Sequence, residues 1–514
     1  MAAKPVRNLV LVLGDQLDPG SAAFDGFDRE SDRVAMFEVR EEATYIRQHK
    51  RRLVLFFAAM RHCRDALVSM GRDVDYVTLD DPANTGSFEG ELQRCVGRTG
   101  AGRVIVLQPG DWRVREVLLR VTRALDRPLE IREDRSFYST PQQFAEFAQG
   151  RRKLVMEMFY RGMRRRHDIL MEGEAPRGGD WNYDVQNRRS FGRRGPPPVP
   201  EPVAFAPDET VRDVIVMVER LFGDHPGSTA GFDLPVTRAQ ARRALEDFVT
   251  HRLPLFGHYQ DAIARGHAWL WHSRLSAALN LHLLDPRTAV EAAIEALDAG
   301  RAPLAAVEGF VRQILGWREY VRGIYWTHMP DYARLDALGA DREVPRCMWD
   351  GRTEMACVRE TVGRLQAVAY VHHIERLMVL GLWMMLCGAR PYAVHQWHMA
   401  MYADAIDWVS LPNVLGMSQY GDGGIMGSKP YVASGNYIHR MSDHCRHCRF
   451  DPRLALGDEA CPFTTLYWDF LGRHRPVLAS NERMRMQLRN LERKDETERR
   501  AIRRRAEHLR ATAP

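Results

Sequence analysis

Three cysteines stand at a spacing that chemistry can use: Cys445-Arg-His-Cys448, followed by Cys461-Pro462. Thiolates this close in sequence can converge on one metal centre, and a tetrahedral ion or an iron–sulfur cubane needs a fourth ligand. Cys357 is a candidate for it, in competition with Cys347, His444 and His447. Spacing alone leaves zinc and iron–sulfur open. Pro462 and the surrounding Phe450, Phe463, Tyr467 and Trp468 tilt the balance toward a cluster. Cys63, Cys95 and Cys387 lie in apolar helical surroundings and read as buried thiols.

A second constellation is aromatic and carboxylate-rich: Trp317-Arg-Glu-Tyr320, His372-His373, Trp397-His398 and Asp404-Ala-Ile-Asp407-Trp408. Stripes of Trp and Tyr at helical spacing are ordinarily core. Together with Asp and Asn donors and acceptors, they also suit a flat heterocycle. Adjacent histidines cannot share one helix face, so His372 and His373 point to different places. Arg161, Arg164, Arg165 and Arg166 make a charged helix face that is either solvated or turned to phosphates. Residue chemistry alone stops at a helical cofactor domain with a Cys-ligated metal.

The elements that must carry these groups fall into three stretches. The chain has 514 residues and a mass of 59.0 kDa, with 45% hydrophobic and 27% charged residues, enough for a large core. Its 73 Lys and Arg against 67 Asp and Glu leave net charge +6, too little to prove a nucleic-acid partner. Eight cysteines are too few for a disulfide scaffold. Met1–Arg7 shows no leader pattern, and the longest apolar run, Leu377–Cys387, is well short of the roughly 18 residues of a membrane span. The expectation is a soluble cytoplasmic protein.

Residues 1–135 alternate strand-like runs with helical ones, which predicts an α/β doubly wound parallel sheet. Leu9–Leu13 and Arg103–Leu107 read as buried strands, Arg33–Val39 and Val74–Leu79 as weaker ones, and His49–Met70 as a helix. Gly14-Asp15-Gln16-Leu17 and Pro109-Gly110-Asp111-Trp112 then fall at the ligand-bearing edge of such a sheet. No GxGxxG follows the first strand, which argues against a dinucleotide site. Residues 136–235 are rich in Gly, Pro and Arg and read as a connector with one helix near Arg151–Leu170. Residues 236–514 read as a large all-α domain, with helices over Arg238–Arg252, Thr288–Ala299, Pro303–Tyr325, Glu354–Ala369 and His373–Cys387, and a charged surface helix over Asn481–Arg510.

The order of Ser273-Arg-Leu-Ser276, Gln313-Ile-Leu-Gly-Trp-Arg-Glu-Tyr320, His372-His-Ile-Glu-Arg376 and Asp404-Ala-Ile-Asp-Trp408 resembles the photolyase/cryptochrome superfamily. Gly14–Leu17 and the cysteine set resemble its bacterial iron–sulfur branch, the prokaryotic (6-4) photolyases. The likeness runs from Leu9 to about Trp468. It implies FAD, with Ser273, Arg274, Leu275 and Ser276 at the pyrophosphate, Tyr259 and Gln313 near the cofactor, Asp404 at the isoalloxazine and ribityl groups, Asp407 beside it, and Asn413 over N5. It implies a 4Fe–4S cluster on Cys357, Cys445, Cys448 and Cys461, which favours Cys357 over Cys347. It implies a ribityllumazine antenna (6,7-dimethyl-8-ribityllumazine) contacted by Gly14, Asp15, Gln16, Gly110 and Glu38. Trp397 and Trp349 match an electron-transfer chain, although His398 stands where members commonly carry another aromatic; Tyr402 or Trp408 could substitute. The activity implied is light-driven repair of (6-4) photoproducts in UV-damaged DNA by a monomer, with His373 as general acid and His372 beside it. Lys429, Tyr431 and Tyr437 are the expected DNA contacts, aided by the Arg161–Arg166 face and a Gly421–Gly424 loop shaped around a flipped nucleotide. A blue-light photoreceptor with little repair is the alternative, and a non-catalytic nucleic-acid-binding module a more distant one.

Overall fold

The computed structural model describes residues 6–512; Met1–Pro5, part of the stretch read above for a leader pattern, lie outside the described residues, as do residues 513–514. Five parallel strands form the N-terminal sheet: β1 (Asn8–Leu11), β2 (Asp32–Phe37), β3 (Val74–Val77), β4 (Arg103–Leu107) and β5 (Leu129–Arg132), in the order β3-β2-β1-β4-β5. Side chains alternate across a strand, so each apolar run serves two cores. Leu9, Leu11 and Leu13 join Val104 and Val106 beneath α2 (Phe88–Thr99) and α3 (Trp112–Ala124). Val10, Val12, Ile105 and Leu107 face the other way, and their core includes α1 (Lys50–Ser69) and runs on without a break into the helical part. That shared core fixes the sheet's ligand edge against the helices.

The winding reverses between β1 and β4, and the loops after these two strands open onto one crevice. The chain then runs through a helix over Met156–His167 and an irregular stretch to Glu209–Leu221, which packs on α1. The rest is helical. Three of its helices contain wide π-type turns: Arg312–Arg318, Arg376–Gly381 and Asn413–Ser418. The first overlaps the Gln313–Tyr320 motif, the second begins at Arg376 and the third at Asn413, and such widened turns recur where a helix must re-aim side chains at a site. The charged C-terminal stretch is not one helix but two, Arg485–Glu492 and Glu496–Thr512, the second packed along Pro462–Arg473. Among the described residues no helix is long and apolar enough to cross a membrane.

Candidate active site and cofactor cavities

The first site is a carboxylate held by a fork. Asp404 receives Arg376 Nη1 and Nη2 at 3.0 Å each on its two oxygens, and the Ser276 hydroxyl donates to it at 2.6 Å. Burial works against this charge, but Arg376 and Ser276 hold the Asp404 carboxyl below its usual range. Arg376 is steadied in turn by Val371 O at 2.7 Å and by the Tyr402 ring at 4.1 Å. Arg376 stands three residues after His373, one helical turn along the same element.

The two histidines separate more than a helix would separate them. His372 caps the helix with extended backbone (φ −72°, ψ 162°), whereas His373 is its first residue. His372 therefore turns inward, fully buried and stacked on His272 at 4.3 Å, and burial pushes its imidazole well down. His373 turns outward and its surface reaches solvent, yet protein groups crowd around the ring; that crowding, and then the Arg376 charge, push its imidazole down to about 4. Its N–H form is thus neutral in the free protein at neutral pH.

Near the clamp lies a group of buried arginines short of anions. Arg51 and Arg274 share Asp233 at 3.3 and 3.0 Å, and Arg252 reaches Asp247 at 2.7 Å. Arg274 Nε, Arg51 Nε and two nitrogens of Arg252 have no partner, and the cations repel one another. Buried donors of one sign left open in this way suit a phosphate-bearing ligand. Ser273 and Leu275 belong to the turn that presents Arg274, where Ser273 Oγ accepts from Leu275 N at 3.3 Å and Arg274 takes φ +57° over the Trp269 ring. Tyr259 packs on Trp271 and Phe191 behind that turn. Asn413 donates to Val409 O within its own helix at 2.8 Å, and Gln313 does the same to Gly309 O at 3.1 Å. Sequence reasoning missed Arg376, Arg252, Arg51 and Asp233. Only Arg376 lay within a quoted motif.

At the strand-order reversal the second site appears, a cavity of about 110 Å³. Gly14, Asp15, Glu38, Gly110 and Asp111 line it from the sheet side, Arg52 and Phe56 from α1, and Met399, Ile406 and Asp407 from the helical part. A side chain at Gly110 would begin 2.4 Å from the Asp15 carboxylate and about 3.0 Å from Ile406, so only glycine admits this approach. Burial raises the Asp15 carboxyl to about 6; burial and the neighbouring Asp407 raise Asp111 to about 7. Glu38 is already spoken for: it accepts from Arg61 at 2.8 and 3.0 Å, Tyr76 OH at 2.6 Å and Leu79 N at 2.8 Å.

Two expectations are corrected here. Gln16 does not line the cavity; its amide donates to Leu107 O and Gln108 O at 3.3 and 3.1 Å and ties the β1 loop to the end of β4. Asp407 does not sit with Asp404. The chain leaves Asp404 extended through Ile406 and starts a new helix at Asp407, whose carboxylate turns to the second cavity, where Tyr325 OH donates to it and His395 Nε2 lies at 2.9 Å.

Cys357, Cys445, Cys448 and Cys461 surround one small pocket with His444, while His447 faces solvent. Burial and the three other thiols push Cys357 up well beyond an ordinary thiol, and Cys445 is raised to about 12. Gly435 closes the pocket; a Cβ there would lie 2.7 Å from Cys461 Sγ. Among the described residues no three His, Cys, Asp or Glu side chains converge as a single-ion site. Cys347 lies apart, beside Trp383 and Cys387.

Trp397 is fully buried and donates to Met348 O at 3.2 Å, next to Trp349, which is 40% exposed. Tyr402 lies tilted at 4.5 Å from His398 and edge-on at 5.8 Å from Trp397. Trp408 instead packs on Phe137 at 5.1 Å and hydrogen-bonds Gly110 O through its backbone. Lys429, Tyr431 and Tyr437 are half-buried, with Arg188, Arg440 and Arg483 near them and Asp184 and Asp261 beside the tyrosines. The four arginines of the Arg161–Arg166 face are not equivalent, and only Arg165 and Arg166 are exposed. Arg164 is buried and donates to Ile169 O, Leu170 O and Trp181 O, Arg161 pairs with Glu157, and Arg165 covers the Trp181 ring. The Gly421–Gly424 turn is likewise held fast by Asp422, which accepts from Tyr332 OH and two backbone amides.

Residues 10–234 match the family model for deoxyribodipyrimidine photo-lyase-related protein. The chain is 47% identical over 479 residues to a (6-4) photolyase of Agrobacterium fabrum, covering 93% of this chain and 94% of that one. A bacterial class III photolyase from Agrobacterium tumefaciens superposes with a TM-score of 0.59 at 14% identity, covering 93% of this chain and 99% of that one. A cryptochrome of Synechocystis does so at 0.52 and 13%, covering 81% and 83%; these two show the fold. A likeness of nearly half the residues over almost the full length of both chains settles the family, and the chain belongs to the photolyase/cryptochrome superfamily.

Proposed function

We propose that the protein is a DNA-repair photolyase acting on (6-4) pyrimidine photoproducts. The observation that carries this reading is the pairing, on one short element, of an exposed His373 with the Arg376 that grips Asp404. It puts a proton carrier one turn from a cofactor clamp. The relative's described activity, (6-4) photolyase, supports the same assignment.

The buried arginines with open donors fit a pyrophosphate, so Arg274, Arg252 and Ser273 would hold FAD there, with Ser276, Arg376 and Asp404 at its ring and ribityl chain. Bound FAD would supply the light-driven electron. Around it, buried Trp271 and Leu275 exclude water, and His372, packed on His272, holds the wall from which His373 projects. Reversal of a (6-4) product returns a hydroxyl or amino group to the neighbouring base, which needs a proton; the His373 imidazole would deliver it. For that role the imidazole must carry a proton in the complex, against the downward push of Arg376. The four thiols around one pocket would hold the 4Fe–4S cluster, and closing the loop from Cys357 to Cys461 would anchor the C-terminal helices. The cavity at the strand reversal, bounded by hydrogen-bonding carboxyls and Phe56, fits a neutral polyol-bearing ring such as ribityllumazine. UV-damaged DNA would lie across Lys429, Tyr431, Tyr437, Arg188 and Arg483.

The test is a pair of variants compared on a defined (6-4) oligonucleotide. His373→Ala is expected to lose repair with FAD content near the parent's, and His372→Ala to be milder in repair but poorer in cofactor retention. Parental repair by His373→Ala would overturn the proton-donor assignment.

A further inference from the structure

One short segment of chain joins the Asp404 clamp to the cavity at the strand reversal. Asp404 faces the Arg376–Ser276 clamp, while Ile406 and Asp407 face the cavity at the strand reversal. The segment is fixed at either end, by Ala403 N to Ala369 O at 3.0 Å and by Trp408 N to Gly110 O at 3.1 Å. Between these points the backbone is held by a side chain from the other domain. Arg52, 4% exposed on α1, donates through Nη1 to the carbonyls of Ala403 and Ala405, the two residues flanking Asp404. Its Nε donates to Gln48 Oε1 at 2.8 Å and its guanidinium lies 4.3 Å over the Phe56 ring. Arg52, Gln48 and Phe56 all line the second cavity.

We propose that Arg52 is a positioning residue for the flavin clamp, and that through it occupancy of the antenna cavity tightens the grip on FAD. The inference rests on the assignment of the two cofactor sites made above. A ligand that packs against Phe56, Arg52 and Ile406 restricts the same guanidinium and the same backbone that aim Asp404. Ordering the segment once serves both sites, so the second ligand pays less of that entropy. Coupling of this kind is reciprocal: each ligand raises the other's affinity by one common factor.

The experiment measures FAD release from the holoprotein in the dark, freed of antenna and then resupplied or not with 6,7-dimethyl-8-ribityllumazine. Released and retained FAD and bound lumazine are read by chromatography of the same filtered samples. Lumazine is expected to slow FAD release by about fivefold or more. In Arg52→Gln the two conditions should release FAD at one common rate, with Arg52→Lys in between. Ile406→Ala, which alters the segment without touching a charge, should also reduce the ratio if Arg52→Gln fails to fold. Wild type that binds both molecules yet releases FAD at the same rate with and without lumazine overturns the coupling alone. A parental ratio in Arg52→Gln overturns the role of Arg52. Protein that binds neither molecule overturns the cavity assignment, and this proposal with it.

Discussion

Replacing Asp404 by Asn changes one atom and unbalances the clamp. The carboxylate accepts two bonds from Arg376 and one from Ser276, and the pair's side chains are only 9% and 18% exposed. Breaking a buried pair by removing one charge costs about 3–5 kcal/mol. Arg376 keeps Val371 O and the Tyr402 face, and Asn keeps one carbonyl acceptor, so the local cost falls to about 2–3 kcal/mol. Carried onto cofactor binding at 1.4 kcal/mol per decade, that weakens FAD by about 30- to 150-fold. Equilibrium retention of FAD across a filter, measured in the dark at several protein concentrations, reads this directly. The pH dependence gives a second arm. The folded pKa of Asp404 lies below its unfolded value, so its contribution is complete above the unfolded pKa and lost as pH falls through the folded one. Asn cannot titrate, so the variant's retention should lack that acid-side loss. An Asp404→Asn protein that binds FAD within twofold of the parent would refute the reasoning.

Three further outcomes follow from the geometry. Purified protein should carry about four irons per chain with acid-labile sulfide, and Cys357→Ser should lose them together with soluble protein; stoichiometric zinc without iron would contradict the cluster. Photoreduction of bound FAD should slow in Tyr402→Phe, whose ring bridges His398, Trp397 and Arg376, and His398→Tyr should restore it; equal rates in all three proteins would remove Tyr402 from the route. Asp111 has a folded pKa near 7, above its unfolded value, so the folded state holds the extra proton between about pH 4 and 7. Stability of the antenna-depleted protein should therefore fall as pH rises through that window, by up to about 1.4 kcal/mol per pH unit, and Asp111→Asn should flatten the slope.

The sheet was legible because Leu9–Leu13 and, after Arg103, Val104–Leu107 are apolar on both faces, as buried parallel strands must be. β5 was not: Leu129–Arg132 is a half-buried edge strand with charges at alternate positions, and no apolar run marks it. The wide turns were hidden for a different reason. Hydrophobic spacing over Pro303–Tyr325 and His373–Cys387 is helical throughout, and one extra residue per turn leaves the apolar face nearly unchanged while re-aiming Arg376. Arg376 and Asp404 carry no mutual signal in sequence, since their pairing depends on how one helix meets the loop that follows another. The opposite orientation of Asp404 and Asp407 follows from a break in helix that composition does not announce. For His373, an unperturbed imidazole suggests a ready acid, whereas the crowding around it and Arg376 push its proton affinity down, which spacing in sequence does not announce.

The measurement closest to the central claim is light-dependent repair of a duplex oligonucleotide carrying one (6-4) photoproduct, run beside the same duplex with a cyclobutane dimer and beside dark controls. The flavin-loaded wild-type protein is expected to restore the (6-4) duplex in the light only, with the cyclobutane duplex left unrepaired. A protein that holds FAD, photoreduces it and binds the damaged duplex, yet returns neither lesion to intact bases, would contradict the account and leave the photoreceptor reading in its place.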